Sequence, residues 1–209
     1  MITALEALAR LKEGNQRYVS GEQSMDTSQS HEKRSSLVTG QEPFAVILGC
    51  SDSRVPVELI FNQGLGDLFV IRVAGNIVAS SQIGSIEFAA EQYGTCLVVV
   101  LGHTHCGAVD ATLSELRQPT ENRSRGLSSI VNRIRPAVEM LLETDLKDDL
   151  TKLTRQAVRA NVRVSANFLR HGSEILERRV LEDDLLIVGA EYSIETGEVE
   201  FFDGLPEKR

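Results

Sequence analysis

Tryptophan is absent from the 209 residues, and cysteine occurs only three times. Three cysteines make no disulfide framework, so the fold has to rest on a buried core, which a chain of this length can supply. No apolar run approaches the roughly 20 residues of a membrane span. The N-terminus enters a helical pattern directly, without the apolar stretch of a signal peptide, so a cytoplasmic location is the expectation. Basic residues are the minority, 22 Lys and Arg against 30 Asp and Glu, for a formal net charge of −8. That balance argues against a nucleic-acid or anionic-membrane partner. Internal repeats and low-complexity tracts are also missing. What remains, 42% hydrophobic and 25% charged, is ordinary for a globular protein, with a length that fits one domain or one domain with an arm.

The arm is read first. Ala4, Leu5, Ala7, Leu8, Leu11 and Val19 recur at helical spacing, Thr3 and Glu6 offer a capping box, and residues 20–36 turn polar and serine-rich. Residues 1–36 are therefore expected to form an N-terminal helical arm and residues 37–209 a single catalytic domain. From residue 43 strand and helix patterns alternate, the signature of a parallel sheet with crossover helices. Strands are predicted over 44–49, 67–73, 96–101, 185–190 and 198–202. A helix is predicted from Pro56, another capped by Ser80 or Ser81, and one from Gly107 to about Arg117. After a polar loop at 118–126, helices are predicted over 127–143, 146–171 and 173–181. The fold class is α/β, a mostly parallel sheet of about five strands flanked by helices.

Two polar clusters follow the first and third strands: Cys50-Ser51-Asp52-Ser53-Arg54 and, about fifty residues on, His103-Thr104-His105-Cys106. The runs before them are short, apolar, rich in β-branched residues and closed by glycine, which suits strands covered on both faces. Side by side, such strands bring both clusters to one carboxyl edge, where open α/β sheets bind ligands. Each residue alone has an ordinary reading: a cysteine at a strand end is usually a small buried hydrophobe, as Cys96 is expected to be, and His-x-x-Cys recurs by chance. Together, Cys50, His103 and Cys106 make a three-ligand zinc set with a fourth position open, the pattern of catalytic zinc. His103 and Cys106 are expected on one side of a helical first turn, where the helix end favours a thiolate. His105 is expected to point elsewhere, since Cys106 supplies the adjacent ligand. Asp52 has two open roles, orienting a zinc-bound hydroxide or filling the fourth zinc position itself. A bidentate grip by Arg54 would hold it off the metal and ionised.

The chain resembles the β-class carbonic anhydrases in Cys50-Ser51-Asp52-Ser53-Arg54-Val55-Pro56, in Arg72-Val73-Ala74-Gly75-Asn76, and in Gly102-His103-Thr104-His105-Cys106-Gly107-Ala108. A weaker likeness runs from Gly14-Asn15-Gln16-Arg17 to the strand near residue 189. The resemblance implies a lyase, a carbonate dehydratase with one zinc ion per chain, which hydrates CO2 reversibly to bicarbonate and a proton through zinc-bound hydroxide. It implies both Asp52 states, active and resting, and a CO2/bicarbonate pocket containing Gln41, Phe69, Ala74, Phe88 and Gly107. It also implies self-association as a two-fold dimer or a dimer of dimers. Two departures stand out. Ile47 occupies the position where some bacterial members carry a tryptophan that helps build an inhibitory bicarbonate site, and Phe88 replaces a plant tyrosine. The rival functions are a hydrolase of carbon disulfide or carbonyl sulfide on the same fold, and an inactive zinc-stabilised scaffold. Gln41 adds a constraint of its own. Strand residues 44–49 separate it from Cys50, and six strand residues span roughly 20 Å, so Gln41 does not easily reach its own metal. Because the resemblance places it in the pocket, it is expected to reach the metal of a neighbouring chain.

Overall fold

The computed structural model describes residues 2–22, 27–119, 124–182 and 184–206, with side chains undescribed for 27–31. Five strands form one sheet: β1 (Ala45–Gly49), β2 (Leu68–Arg72), β3 (Leu97–His103), β4 (Leu186–Tyr192) and β5 (Val199–Asp203). Their order is β2-β1-β3-β4-β5. All neighbours are parallel except the β4–β5 pair. The helices are α1 (Ala4–Ser20), α2 (Thr27–Ser36), α3 (Val57–Ile60), α4 (Ser80–Tyr93), α5 (Gly107–Arg117), α6 (Arg125–Val138), α7 (Leu150–His171) and α8 (Glu174–Leu181). Among the described residues no helix is long and apolar enough to cross a membrane.

The two central strands explain why the sheet is a firm base. Every residue of β1 and of β3 is buried, as their unbroken apolar runs require. Alternate side chains feed opposite layers. Ile47, Val99 and Leu101 pack with Ala7, Leu8 and Leu11 of α1 and with Ile60 of α3, whereas Val46, Leu48, Val98 and Val100 pack with α4 and α7. Each such aliphatic side chain contributes about 1.5–3 kcal/mol when fully buried. The Thr3–Glu6 capping box closes the start of α1. Asn15 of α1 then donates to the carbonyls of Ile60 and Gly197 and accepts from the Val199 amide, tying the helix to α3 and to the start of β5.

Several boundaries differ from the sequence reading, each for a local reason. β3 runs on through His103, which pairs with Tyr192 of β4. His103 is therefore the last residue of a strand, and Cys106 is the N-cap of α5 rather than part of its first turn. Gly102, which reads as a strand terminator, lies inside β3 because α7 passes close to it. A Cβ built there would sit 2.6 Å from Val162 Cγ2, and one on Gly189 of β4 would sit 2.8 Å from Val162 Cγ1. Val162 fills a dimple that two glycines leave in the sheet. The helix expected to reach residue 143 ends at Val138, two residues after Pro136, and gives way to 3-10 segments Glu139–Glu143 and Asp145–Asp148. Proline removes a helix hydrogen bond and crowds the preceding turn. Asp149 then starts α7 as an N-cap, its side chain accepting from the Lys152 amide. Ala79, without a side-chain bond, caps α4 where serine was expected. The polar stretch after α1 contains α2, and part of the 118–126 loop lies outside the described residues. Cys96 sits just before β3, half-buried, its thiol donating to the Ile2 carbonyl.

Gly102→Ala should therefore destabilise the protein by about 1–3 kcal/mol, the usual cost of overpacking, seen as a lower Tm in thermal melts. Adding Val162→Ala should return part of that loss, although it is itself destabilising. A Gly102→Ala protein as stable as its parent would contradict the close approach of α7.

Candidate metal centre

In the order β2-β1-β3-β4 the chain passes from β1 to β2 on one side and from β3 to β4 on the other, so the carboxyl ends of β1 and β3 form a crevice. Gly49 of β1 pairs with Leu101 of β3. Cys50 and His103 therefore emerge at nearly the same level, and the short loop from Thr104 brings Cys106 back to them. The Cys50 and Cys106 sulfurs and a ring nitrogen of His103 all lie within 4.8 Å of one another, and all three residues are buried. His103 Nδ1 is 2.9 Å from the Thr104 carbonyl oxygen and, as the donor, fixes the tautomer that leaves Nε2 with a lone pair. That Nε2 is buried and has no hydrogen-bond partner among the described residues.

A bare nitrogen acceptor beside two thiols, away from water, is costly unless something positive meets it. The sulfurs carry the same message. Hydrogen bonding from Cys106 is the largest influence on Cys50 and brings its thiol down to about 4 against the effect of burial. The thiol of Cys106 is pushed up, first by that shared bond and then by burial. The two sulfurs thus share one hydrogen bond that lowers one thiol and raises the other. A divalent cation in its place would meet both thiolates and the imidazole lone pair together, the donor set zinc takes.

The surrounding loops are fixed from three directions. The Gly75 amide donates to Cys50 Sγ at 3.3 Å. Arg72 Nε donates to the Cys50 carbonyl at 2.9 Å and its Nη2 to the Asp52 carbonyl at 2.6 Å. Gly75 itself has φ 71°, and a Cβ there would meet Ile134 at 2.7 Å and Ala108 at 3.1 Å, so this turn needs glycine. Buried Asn161 of α7 donates to the Gly75 carbonyl at 2.8 Å.

Asp52 stands at the rim, Oδ2 3.9 Å from His103 Nε2. Arg54 grips it at both oxygens, Nε to Oδ1 at 2.9 Å and Nη2 to Oδ2 at 2.8 Å, and the Arg54 amide adds a third bond to Oδ1 at 3.0 Å. These bonds from Arg54 hold the Asp52 carboxyl well below the usual carboxylate range. His105 points away from the cluster, with Nε2 2.6 Å from Glu195 Oε1.

The five residues expected to line a substrate pocket fall into two groups. Ala74 and Gly107 flank the ligands, one beside Gly75 and the other next to Cys106. Phe69 pairs with Val46, four residues before Cys50 and so roughly 13 Å back along the sheet. With Phe88 and Tyr93 it forms an aromatic group, ring centroids 5.6–6.3 Å apart. Gln41 Nε2 donates to the Tyr93 hydroxyl at 3.0 Å. This second group lies on edge strand β2 and α4, and Phe88 is half exposed. Tyr93 escaped the sequence reading as an ordinary helix residue, though its spacing from Phe88 was visible. Arg72 was noticed only as part of a motif. Asn161 and Glu195 carry no local signal, since they come from 86 and 90 residues away from their partners.

A family model for carbonic anhydrase matches residues 45–199. Carbonic anhydrase 2 of Mycobacterium tuberculosis is 40% identical over 187 residues, 90% of this chain and 87% of its own. The carbonic anhydrase of Mycolicibacterium smegmatis is 40% identical over 191 residues, 91% and 89% of the two chains. Among solved structures, the β-carbonic anhydrase CcaA superposes with a TM-score of 0.76 at 29% identity, over 94% of this chain and 95% of its own. CafA of Aspergillus fumigatus, also a β-carbonic anhydrase, gives 0.75 at 26% identity over 90% and 88%. The Cys50–His103–Cys106 cluster at the crevice of a β2-β1-β3-β4 sheet is thus set in a chain that belongs to the β-class carbonic anhydrase family.

Proposed function

We propose that this protein is a zinc-dependent carbonic anhydrase interconverting CO2 and water with bicarbonate and a proton. The observation that carries this reading is the bare, buried Nε2 of His103 beside two sulfurs, with an ionised carboxylate held at its rim. Cys50, His103 and Cys106 would hold one zinc ion per chain. When bound, zinc supplies Lewis acidity that makes water a nucleophile near neutral pH.

The chain's own residues then have three tasks. The first is to aim the water. Asp52 Oδ2 accepts only one bond, from Arg54, and so keeps a lone-pair position, and it is the oxygen that faces His103. It can accept a hydrogen bond from the water and turn the attacking lone pair toward the carbon. The second task is to keep Asp52 in that role. Arg54, bonded at both oxygens, holds the carboxylate ionised and away from the ligand set, and release of that grip would let Asp52 become a fourth ligand in a resting state. The third is to present CO2, which is small and apolar, against an apolar wall with one or two donors. Atoms balance simply: water adds to the carbon, bicarbonate departs, and one proton passes to solvent or buffer.

The wall is proposed to come from two chains. Ala74 and Gly107 stand beside the chain's own ligands, whereas Gln41, Phe69 and Phe88 gather at the other end of edge strand β2. A two-fold contact along that edge would set each Gln41 group against the other chain's ligands and build two equivalent sites. Gln41 spends one amide hydrogen on Tyr93 and keeps a second for substrate. CO2 and a second copy of this chain are thus the proposed partners.

Stopped-flow CO2 hydration tests the function. Asp52→Asn should keep its metal and lose activity by on the order of a hundredfold or more, the lower range for a positioned acid–base group. The amide donates where the carboxylate accepts and gives Arg54 only one oxygen. Near-normal turnover in this variant would refute the orienting role. Complementation tests the shared wall. Gln41→Ala and Asp52→Asn chains, each impaired alone, should form heterodimers with one doubly damaged site and one intact site. Activity should recover towards half per purified heterodimer. Activity equal only to the average of the two mutants would assign each site to a single chain.

A further inference from the structure

We propose that Glu195, in the turn between β4 and β5, is a positioning residue that holds the loop on which Arg54 rests and so keeps the Asp52–Arg54 pair closed. The inference rests on the functional reading above and adds to it a residue outside all three motifs.

The pair needs outside support. The Arg54 side chain is half exposed, and an exposed ion pair on a long flexible stem contributes little order by itself. Arg54 has one further acceptor: its Nη2 donates to the His105 carbonyl at 3.1 Å. That carbonyl belongs to a residue with φ 55°, a left-handed conformation that few non-glycine residues adopt, though histidine does so more readily than most. Held in that conformation, the residue gains from contacts that fix its side chain.

Glu195 provides that hold. Its Oε1 lies 2.6 Å from His105 Nε2, and its Oε2 accepts from Thr104 Oγ1 at 2.7 Å and from Ser193 Oγ at 3.2 Å. Thr104 Oγ1 in turn accepts from the Ile194 amide at 3.0 Å, and the Thr104 amide donates to the Tyr192 carbonyl at 3.0 Å. The end of β4 and the loop after β3 are thereby sewn together at two successive residues, directly ahead of Cys106. These bonds, the Thr104 hydroxyl first, bring the Glu195 carboxyl down to about 2, so near neutral pH it is an acceptor. The physical chain is continuous: β4–β5 turn, Glu195, His105 carbonyl, Arg54, Asp52. The Glu195 side chain bonds to Thr104, His105 and Ser193 and to none of Cys50, His103 and Cys106, so its effect on Asp52 has to pass through Arg54.

A turn staple that merely stabilises the fold would also weaken the protein when removed, so the test is a double-mutant cycle on the zinc-loaded protein. Glu195→Ala, Glu195→Gln, Arg54→Lys and the Arg54→Lys/Glu195→Ala pair are compared by stopped-flow CO2 hydration and by NMR hydrogen exchange of the Arg54 Nε–H, identified by its loss in Arg54→Lys. Glu195→Ala should keep its zinc and its fold, lose protection at Arg54 Nε–H, and lose kcat by on the order of tenfold, a modest misplacement of the orienting group. Glu195→Gln, which keeps one acceptor oxygen, should fall between. In the Arg54→Lys background, Glu195→Ala should add less than about twofold, because groups acting as one unit are not additive. Full additivity there, or unchanged Nε–H exchange in Glu195→Ala, would overturn the proposal. Absence of CO2 hydration in the unmutated protein would instead overturn the functional reading, and the exchange measurement would still decide the role of Glu195.

Discussion

Two thiols and an imidazole lone pair buried together are the constraint around which the rest of this structure is arranged. Among the described residues the Nε2 of His103 has no hydrogen-bond partner, and the Cys50 and Cys106 sulfurs share a bond that lowers one thiol and raises the other. Such a cluster is unfavourable as a piece of core and favourable as a cation site. Much of the nearby structure serves to keep the three donors converged. The β1–β3 register sets Cys50 against His103, the Thr104 carbonyl selects the His103 tautomer, and the Gly75 amide and Arg72 guanidinium fix the Cys50 loop. Asp52 and Arg54 then stand at the one polar edge, where a carboxylate can be kept ionised close to the metal site without entering it.

Helix α7 links this site to the core. Its close approach to the sheet is possible because Gly102 and Gly189 leave room for Val162. The adjacent Asn161 spends its side-chain amide on the Gly75 carbonyl. Packing of a helix on a sheet face thus helps set where the Gly75 amide meets the Cys50 sulfur. Rigid elements hold the ligands, and the polar turn after β4 holds the more exposed Arg54.

What could be read from the sequence follows from how local each signal is. The apolar runs before Cys50 and His103 announced buried strands, and the Cys-x-Asp-x-Arg and His-x-x-Cys spacings announced chemistry, because strand, turn and side chains are contiguous there. Gly102 misled, since a glycine that permits helix packing looks the same as one that ends a strand, and so His103 was placed on a helical turn. Pro136 was visible yet passed over, and it shortened a helix by five residues of the expected span. Asn161 and Glu195 were out of reach, because an asparagine in an amphipathic helix and a glutamate in a turn are ordinary until the fold brings them to Gly75 and His105. The distance argument from Gln41 needed only the rise of a strand. The fold sets Gln41 beside Tyr93, near Phe69 and Phe88 at the sheet edge.

The account stands on the three ligands, and metal analysis addresses them directly. The purified protein should contain one equivalent of zinc per chain, and Cys106→Ser, which replaces a thiolate by a poor zinc ligand at near-equal volume, should lose most of it while the sheet remains folded by circular dichroism. Full zinc occupancy in Cys106→Ser would contradict the assignment of this cluster as the metal centre.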